Sequence, residues 1–277
     1  MRPRDDDCGA PGEEPRRRGR RDGTPERDNA GEPVCDPAEG GPGTVADLIA
    51  EGAGGVTPGE VPHRLCAVAL TLLPVTGASV SLRGDGMPVQ MGASDEAAAH
   101  MAEIQATLGD GPSLYAAEIG APVLAGDLTG GRDARRWPVF AQQAAEAGVQ
   151  AVYSIPLGSD AVCVGTLDLY GATPHELSRR ELHTVQLVAA AMTLALMSLP
   201  RDEDDEGAGE GAESSWLSGL LTDQDEVYQA IGMIMVQLGA GADEAVARLR
   251  ARAFTQGRTA LEVAHEVTTH RTRFDRD

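Results

Sequence analysis

A chain of 277 residues with a 42% hydrophobic fraction is long enough for one large domain or two small ones. Aromatics make up only 3%, so alanine, valine and leucine must fill the cores; the formal charge is −20, and all 23 cationic residues are arginine. The lack of lysine excludes a P-loop lysine, a Schiff-base lysine and the phosphate-pairing lysine of a protein kinase, and the acidic balance confines any nucleic-acid site to a local patch.

Cys8, Cys35, Cys66 and Cys163 form no CxxC pair, which points to a reducing compartment with no disulfide framework and no zinc site. No apolar run approaches the roughly 20 residues of a membrane helix. The arginine-rich start has no apolar region of the kind a signal peptide carries. The expectation is a cytoplasmic protein, apart from membranes, with no metal and no cofactor.

Residues 1–43 are arginine, acid, glycine and proline with almost no apolar side chain, and read as a disordered tail. The run Arg16 to Arg21 is interleaved with acids further along and reads as solvated. Residues 44–199 carry the first regular patterning. Helices are expected at 44–51 and 61–73, short strands at 78–83 and 89–92, and a helix at 95–108. Gly109-Asp110-Gly111-Pro112 is a turn. Helical pieces at 113–119 and 137–147 flank a short apolar run at 122–125. Strands at 151–157 and 161–171 follow, joined by Gly158-Ser159-Asp160 as a hairpin. In the second of these strands Thr166, Asp168 and Tyr170 share one face, and Leu167 and Leu169 the other. Ser178-Arg179-Arg180-Glu181 is a capping box that opens an apolar helix to about residue 199. The pattern implies an α+β domain, an antiparallel sheet flanked by helices.

The segment 200–212, PRDEDDEGAGEGA, reads as an acidic, glycine-rich linker. Beyond it the pattern is all-helical. Val227, Ala230, Ile231, Ile234, Met235 and Leu238 form a buried stripe. Asp243 and Glu244 suit the first turn of a second helix, with Ala245, Leu249 and Ala253 on its apolar face. Gly257 suits its end, and Thr259-Ala260-Leu261-Glu262 is a capping box for a third.

Catalytic motifs are missing: there is no GxSxG elbow and no GxGxxG fingerprint. His265 and His270 imitate a zinc-protease motif, but five residues apart they point about 140° away from each other on a helix. His63, His100, His175 and His183 are scattered. Asp168 is the exception, an acid inside a strand that a ligand amine or water would satisfy. A non-enzymatic role is expected.

The helical segment carries Val227-Tyr228-Gln229-Ala230-Ile231-Gly232-Met233-Ile234-Met235, then Ala242-Asp243-Glu244-Ala245, Leu249-Arg250 and Glu262-Val263-Ala264. It resembles an ANTAR domain, and the resemblance implies a three-helix module that binds paired stem-loops in nascent mRNA, prevents termination and commonly dimerises. Ala78-Ser79-Val80-Ser81-Leu82, residues 105–112, Arg136-Trp137-Pro138 with Phe140, and Gly165-Thr166-Leu167-Asp168-Leu169-Tyr170 resemble an actinobacterial GAF sensor domain over nearly all of 44–199. That resemblance implies a small-molecule ligand of unstated identity, with Asp168 and Trp137 as ligand-binding candidates. Two departures stand out. Ile231 replaces a lysine common in ANTAR domains, which either removes a phosphate contact or marks a position that packs. Ser113 replaces a cysteine, which excludes thiol chemistry there.

The helical segment has a net charge of −3, but residues 246–276 carry seven arginines against Glu262, Glu266 and Asp275. A basic face is therefore available. Arg248, Arg250, Arg252, Arg258, His270, Arg271 and Arg273 are the candidate RNA contacts, since guanidinium pairs with phosphate and stacks on unpaired bases. Phe274 and Phe254 are possible stacking partners, although Phe254 reads better as core. The resulting expectation is a signal-responsive homodimer that binds RNA hairpins. The competing reading is a small-molecule sensor or scaffold whose helices only dimerise, or bind protein or DNA.

Overall fold

The computed structural model describes residues 44–84, 86–159, 162–198 and 214–275, with side chains from 226 onward in the last stretch. The N-terminal tail with Cys8, Cys35 and the arginine run, the 200–212 linker, Asp160 and Arg276 lie outside these residues.

Local sequence signals set the helix starts. Helix α1 (Val45–Ala53) begins at Thr44, whose hydroxyl accepts from Asp47 N while the Asp47 carboxylate accepts from Thr44 N. Next come α2 (Glu60–Leu72), β1 (Gly77–Leu82), β2 (Val89–Ala93), α3 (Glu96–Leu108), α4 (Pro112–Ile119) and β3 (Val123–Ala125). Helix α5 (Gly131–Arg136) was not expected from the pattern. Its six residues, GRDARR, bury nothing and so leave no apolar signature. Helix α6 (Pro138–Glu146), β4 (Ala151–Ser159), β5 (Val162–Gly171) and α7 (Arg179–Met197) complete the first region. The capping box expected at Ser178–Glu181 is formed. Strand β4 runs further than expected, through Gly158, because a register shift there lets the chain stay paired. Only glycine fits: φ is +140°, and a Cβ would lie 2.0 Å from Val162 O.

The five strands form one antiparallel sheet in the order β2-β1-β5-β4-β3. Side-chain alternation gives the sheet two unlike faces. Ala78 and Val80, Tyr153 and Ile155, and Leu167 and Leu169 pack with Leu65 and Ala69 of α2 and with Val188 and Met192 of α7. Tyr170 and Val152 pack on the other face with Met101 of α3, Phe140 of α6 and Trp137. That second face also carries Ser79, Ser81, Ser154, Thr166 and Asp168, all buried.

Three helices follow: α8 (Ser214–Leu238), α9 (Ala242–Gln256) and α10 (Ala260–Thr268). Their core joins Ala230, Ile231 and Ile234 to Leu249, Ala253, Val263, Ala264 and Val267. The expected cap at Thr259–Glu262 is formed, and Gly257 takes the left-handed conformation that ends α9. Ile231 is buried within this core, so the position packs. Ile231→Ala is expected to cost about 2–4 kcal/mol, read from chemical denaturation of the full chain. A cost under about 1 kcal/mol would contradict this packing role. Among the described residues no single helix is long and apolar enough to cross a membrane.

The described residues, from 44 onward, belong to one compact unit. The helical module is not an isolated bead beyond a linker. Met87, from the segment between β1 and β2, is buried in the module's own core, and Ala106 of α3 packs against it.

Candidate functional site

The polar face of the sheet converges on Asp168. Pairing places Ser79 of β1 and Ser154 of β4 directly beside it on either side. The Ser154 hydroxyl donates to Oδ1 at 2.5 Å. Ser113, in the first turn of α4, donates to Oδ2 at 2.8 Å, and Thr166 donates to the same oxygen at 3.2 Å. The tight turn before α4 aims Ser113 inward. Gln105 Oε1 accepts from Ser113 N at 2.9 Å, and Gly111 at φ +138° leaves room for that amide. The Ser79 hydroxyl is spent on the Tyr170 hydroxyl, at 2.8 Å.

Asp168 is 1% exposed, and its contacts are hydroxyls. Burial pushes its carboxyl up to about 6, against the opposing pull of the three hydroxyl donors. Beside this cluster lies a cleft of about 180 Å³, lined by Ser113 and Thr166 together with Arg83, Glu118 and Gly165. Asp168 is not on its wall. The carboxylate stands behind Ser113 and Thr166 and orients their hydroxyls, so it would meet a guest through them. Asp168, expected as a ligand contact, is thus set back from the cleft by the Ser113 and Thr166 hydroxyls.

Trp137, the other expected ligand contact, is likewise off the cleft wall. It is 4% exposed and belongs to the core cluster with Phe140 and Met101. Its ring sits 6.2 Å from that of Tyr115, and the Arg136 guanidinium covers both rings, 3.8 Å from the tyrosine centroid and 4.9 Å from the tryptophan. Trp137 closes the junction of α5 and α6 by packing.

The seven candidate cations of the helical module separate into two groups. Arg250, Arg252 and Arg258 are engaged inside the protein. Arg258 bonds Glu266 at 2.6 Å and pairs with Glu262 at 3.8 Å, bracing α10. Arg252 donates to Arg273 O at 3.0 Å and lies 4.3 Å from the Phe274 ring centroid, holding the C-terminal segment. Arg250 reaches out of the module. Its Nε donates to Ala106 O at 3.0 Å and its terminal nitrogen to Gly86 O at 2.8 Å. Ala106 is in the last turn of α3, where unpaired carbonyls and the helix dipole both attract a cation. A second bond joins the same surfaces: Ala260 N, at the start of α10, donates to Thr107 Oγ1 at 2.9 Å. These three are not open RNA contacts in this arrangement, because carbonyls, carboxylates and a ring already occupy their guanidiniums.

Arg248, His270, Arg271 and Arg273 are exposed. Arg248 has an ion pair with Glu244 at 3.6 Å, one helical turn away at the surface. His270 takes a left-handed φ of +58° just past α10, which turns the chain back toward α8. A groove follows, lined by Gln229, Gly232, Met233, Val236 and Gln237 of α8 and by His270, Thr272 and Arg273. Val236, which lines it, is 81% exposed. His265 bonds Glu226 at 2.7 Å and does not converge with His270. Among the described residues no cluster of three His, Cys, Asp or Glu side chains could hold a metal ion. Phe254, expected in the core, is exposed, and Phe274 is buried instead.

The profile of the GAF domain matches residues 57–197, just over half of the chain, and that of the ANTAR domain matches residues 217–267. No curated protein matches the chain. Among solved structures, the chain is similar to the GAF domain from the Acinetobacter phosphoenolpyruvate-protein phosphotransferase, at 10% identity over 55% of this chain and 90% of that one, with a TM-score of 0.43. It is similar to free methionine-R-sulfoxide reductase from Neisseria meningitidis in complex with its substrate, at 14% identity over 55% and 86% of the two chains, with a TM-score of 0.42. With its antiparallel sensor sheet and three-helix module each matched by its own profile, the chain belongs to the GAF domain family and pairs that signal-binding domain with an RNA-binding ANTAR domain of the antitermination kind.

Proposed function

We propose that the protein is a non-enzymatic, cytoplasmic antitermination regulator that binds stem-loops of nascent mRNA and whose sensor domain governs how the helical module is presented. The observation that carries this reading is the groove of α8 and residues 270–273. The exposed apolar side chain of Val236 suits packing against an unpaired loop base, and His270 and Arg273 on the same groove suit the flanking phosphates. Arg248 and Arg271 extend the cationic surface. The sensor cleft at Ser113 and Thr166 is the place for a signal molecule, with Arg83 and Glu118 offering one charge of each sign.

The test is a titration of the full chain with RNA carrying two adjacent hairpins, against duplex DNA, across several salt concentrations. Selective RNA binding that weakens steeply with salt supports the reading. Arg273→Ala is expected to lower affinity several-fold and the salt slope by about one. Equal affinity for both nucleic acids, or none, contradicts it and leaves a sensor whose helices serve other contacts.

A homodimer is part of the proposal. Leu187, Leu194 and Met197 are exposed on α7 at spacings of seven and three, and Leu194 is 70% exposed. Such a stripe on a helix suits a second copy of itself. Leu194→Glu is expected to convert the dimer to monomer in sedimentation velocity; an unchanged mass would place the contact elsewhere.

A further inference from the structure

The sensor domain and the helical module meet around a second cavity, which shares Ser81, Met87 and Pro88 with the cleft beside Asp168 and lies on their other side. It encloses about 160 Å³ between β2, α3, α8 and α10. Most of its wall is apolar: Met87 and Val89 from the sheet side, Ala102 and Ala106 from α3, Val227 from α8 and Leu261 from α10. The alanines of α3 are what leave the space open, since a longer side chain at either would fill it. A cavity of about 150 Å³ with apolar walls is the size that holds one benzene ring.

The polar groups on the wall narrow the chemistry. Thr107 has its hydroxyl committed to Ala260 N. Gln90 differs: its side chain lines the cavity, yet its Oε1 is buried without a hydrogen-bond partner. A buried amide oxygen with no donor is costly; Oε1 has no surface open to the cavity, but the terminal torsion of glutamine turns easily, and a turn that brings Oε1 to the wall would let a donor in the cavity satisfy it. Glu103 is the charged residue on the wall, which disfavours an anionic guest.

We propose that this interdomain cavity is a binding site for a small uncharged molecule, an apolar body of about one aromatic ring carrying one O–H or N–H donor for Gln90 Oε1. Because both domains supply the wall, an occupant at free concentration c stabilises the docked arrangement by RT ln(1 + c/Kd). Its effect on RNA rests on the antitermination reading; the site itself does not.

The experiment titrates the full chain with phenol, toluene and benzoate, following the methyl resonances of Val89, Val227 and Leu261, which line this cavity and not the cleft beside Asp168. Saturable phenol shifts at these methyls are expected, with toluene weaker by about tenfold for lack of a donor and benzoate inert. Ala102→Met, which fills the space, should abolish the phenol shifts. Gln90→Leu, which keeps it, should bring phenol down to the level of toluene. Thermal melting establishes that each variant is folded. Should Ala102→Met unfold the chain, Gln90→Leu and the phenol-to-toluene ratio still decide the matter. Phenol shifts that persist in both variants, that appear only at Ser113 and Thr166, or that never saturate overturn the proposal. Phenol binding with unchanged RNA affinity supports the site and removes its regulatory consequence. Absence of RNA binding altogether removes the antitermination reading and leaves the cavity result standing.

Discussion

Arg250→Ala is expected to raise the affinity of the full chain for hairpin RNA, by roughly tenfold. The basic pattern of α9 alone would suggest the reverse, a lost phosphate contact. The geometry argues otherwise. The Arg250 guanidinium donates to Ala106 O and Gly86 O on the sensor domain, half buried between the two bodies. Hydrogen bonds from a charged donor contribute about 1.5–3 kcal/mol each, and part of that is lost when water replaces the carbonyls. Removing them shifts the helical module toward the undocked state and frees the α9 and α10 surface that α3 now covers, so affinity rises to the extent that RNA uses this surface beside the outward α8 groove. A sensor-side variant separates the two explanations. Thr107→Val removes the acceptor for Ala260 N and lies on α3, outside the helical module. If the docked state withholds the module, both variants raise RNA affinity. A fall for Arg250→Ala with no change for Thr107→Val would mean that Arg250 touches RNA directly, and the docking has no inhibitory effect.

Asp168→Asn is expected to remove a pH dependence of stability worth about 3 kcal/mol. The carboxyl titrates near 6 in the folded chain, against an ordinary value near 4. Between those two values the native state holds a proton that the unfolded state has released, so stability falls as pH rises through the window. Below about 4 both states are protonated and the cost is absent. Above about 6 both are ionised, and the buried charge imposes its full cost of about two pKa units. The difference in unfolding free energy between wild type and Asp168→Asn, measured by urea titration from pH 4 to pH 7.5, isolates this group. It should change in favour of the asparagine variant as pH rises. A flat difference would mean that the carboxylate is better solvated than its 1% exposure implies. A ligand that donates into the cleft through Ser113 and Thr166 would favour the ionised form and reduce the same difference.

Asp168 and its donors stand or fall together, because replacing the carboxylate alone would leave the buried hydroxyls of Ser113, Ser154 and Thr166 without their acceptor. The same reasoning sets apart the two Arg-rich surfaces of the helical module. Arg258 and Arg252 are braces whose partners lie within the module, whereas Arg250 is a link between domains, and Arg248, His270, Arg271 and Arg273 face outward.

Much of this protein was determined along the chain itself. The strand alternation that puts Asp168 and Thr166 opposite Leu167 and Leu169, the caps at Ser178 and Thr259, and the stripe from Val227 to Leu238 are local or periodic signals. Each depends on residues a few positions apart, so a linear reading reaches them. The short helix α5 escaped that reading because it buries nothing and therefore has no period. What only the tertiary structure decided are the roles of side chains that reach across the fold. Whether an arginine faces solvent, a carboxylate or another domain's carbonyls turns on partners far away in sequence: Arg250 meets Ala106, and Arg252 meets Phe274. The same holds for Trp137, which packs, and for Asp168, which stands one layer behind the cleft. Helical periodicity specifies which face a residue occupies, but not what that face meets, since long-range packing energy chooses the neighbour.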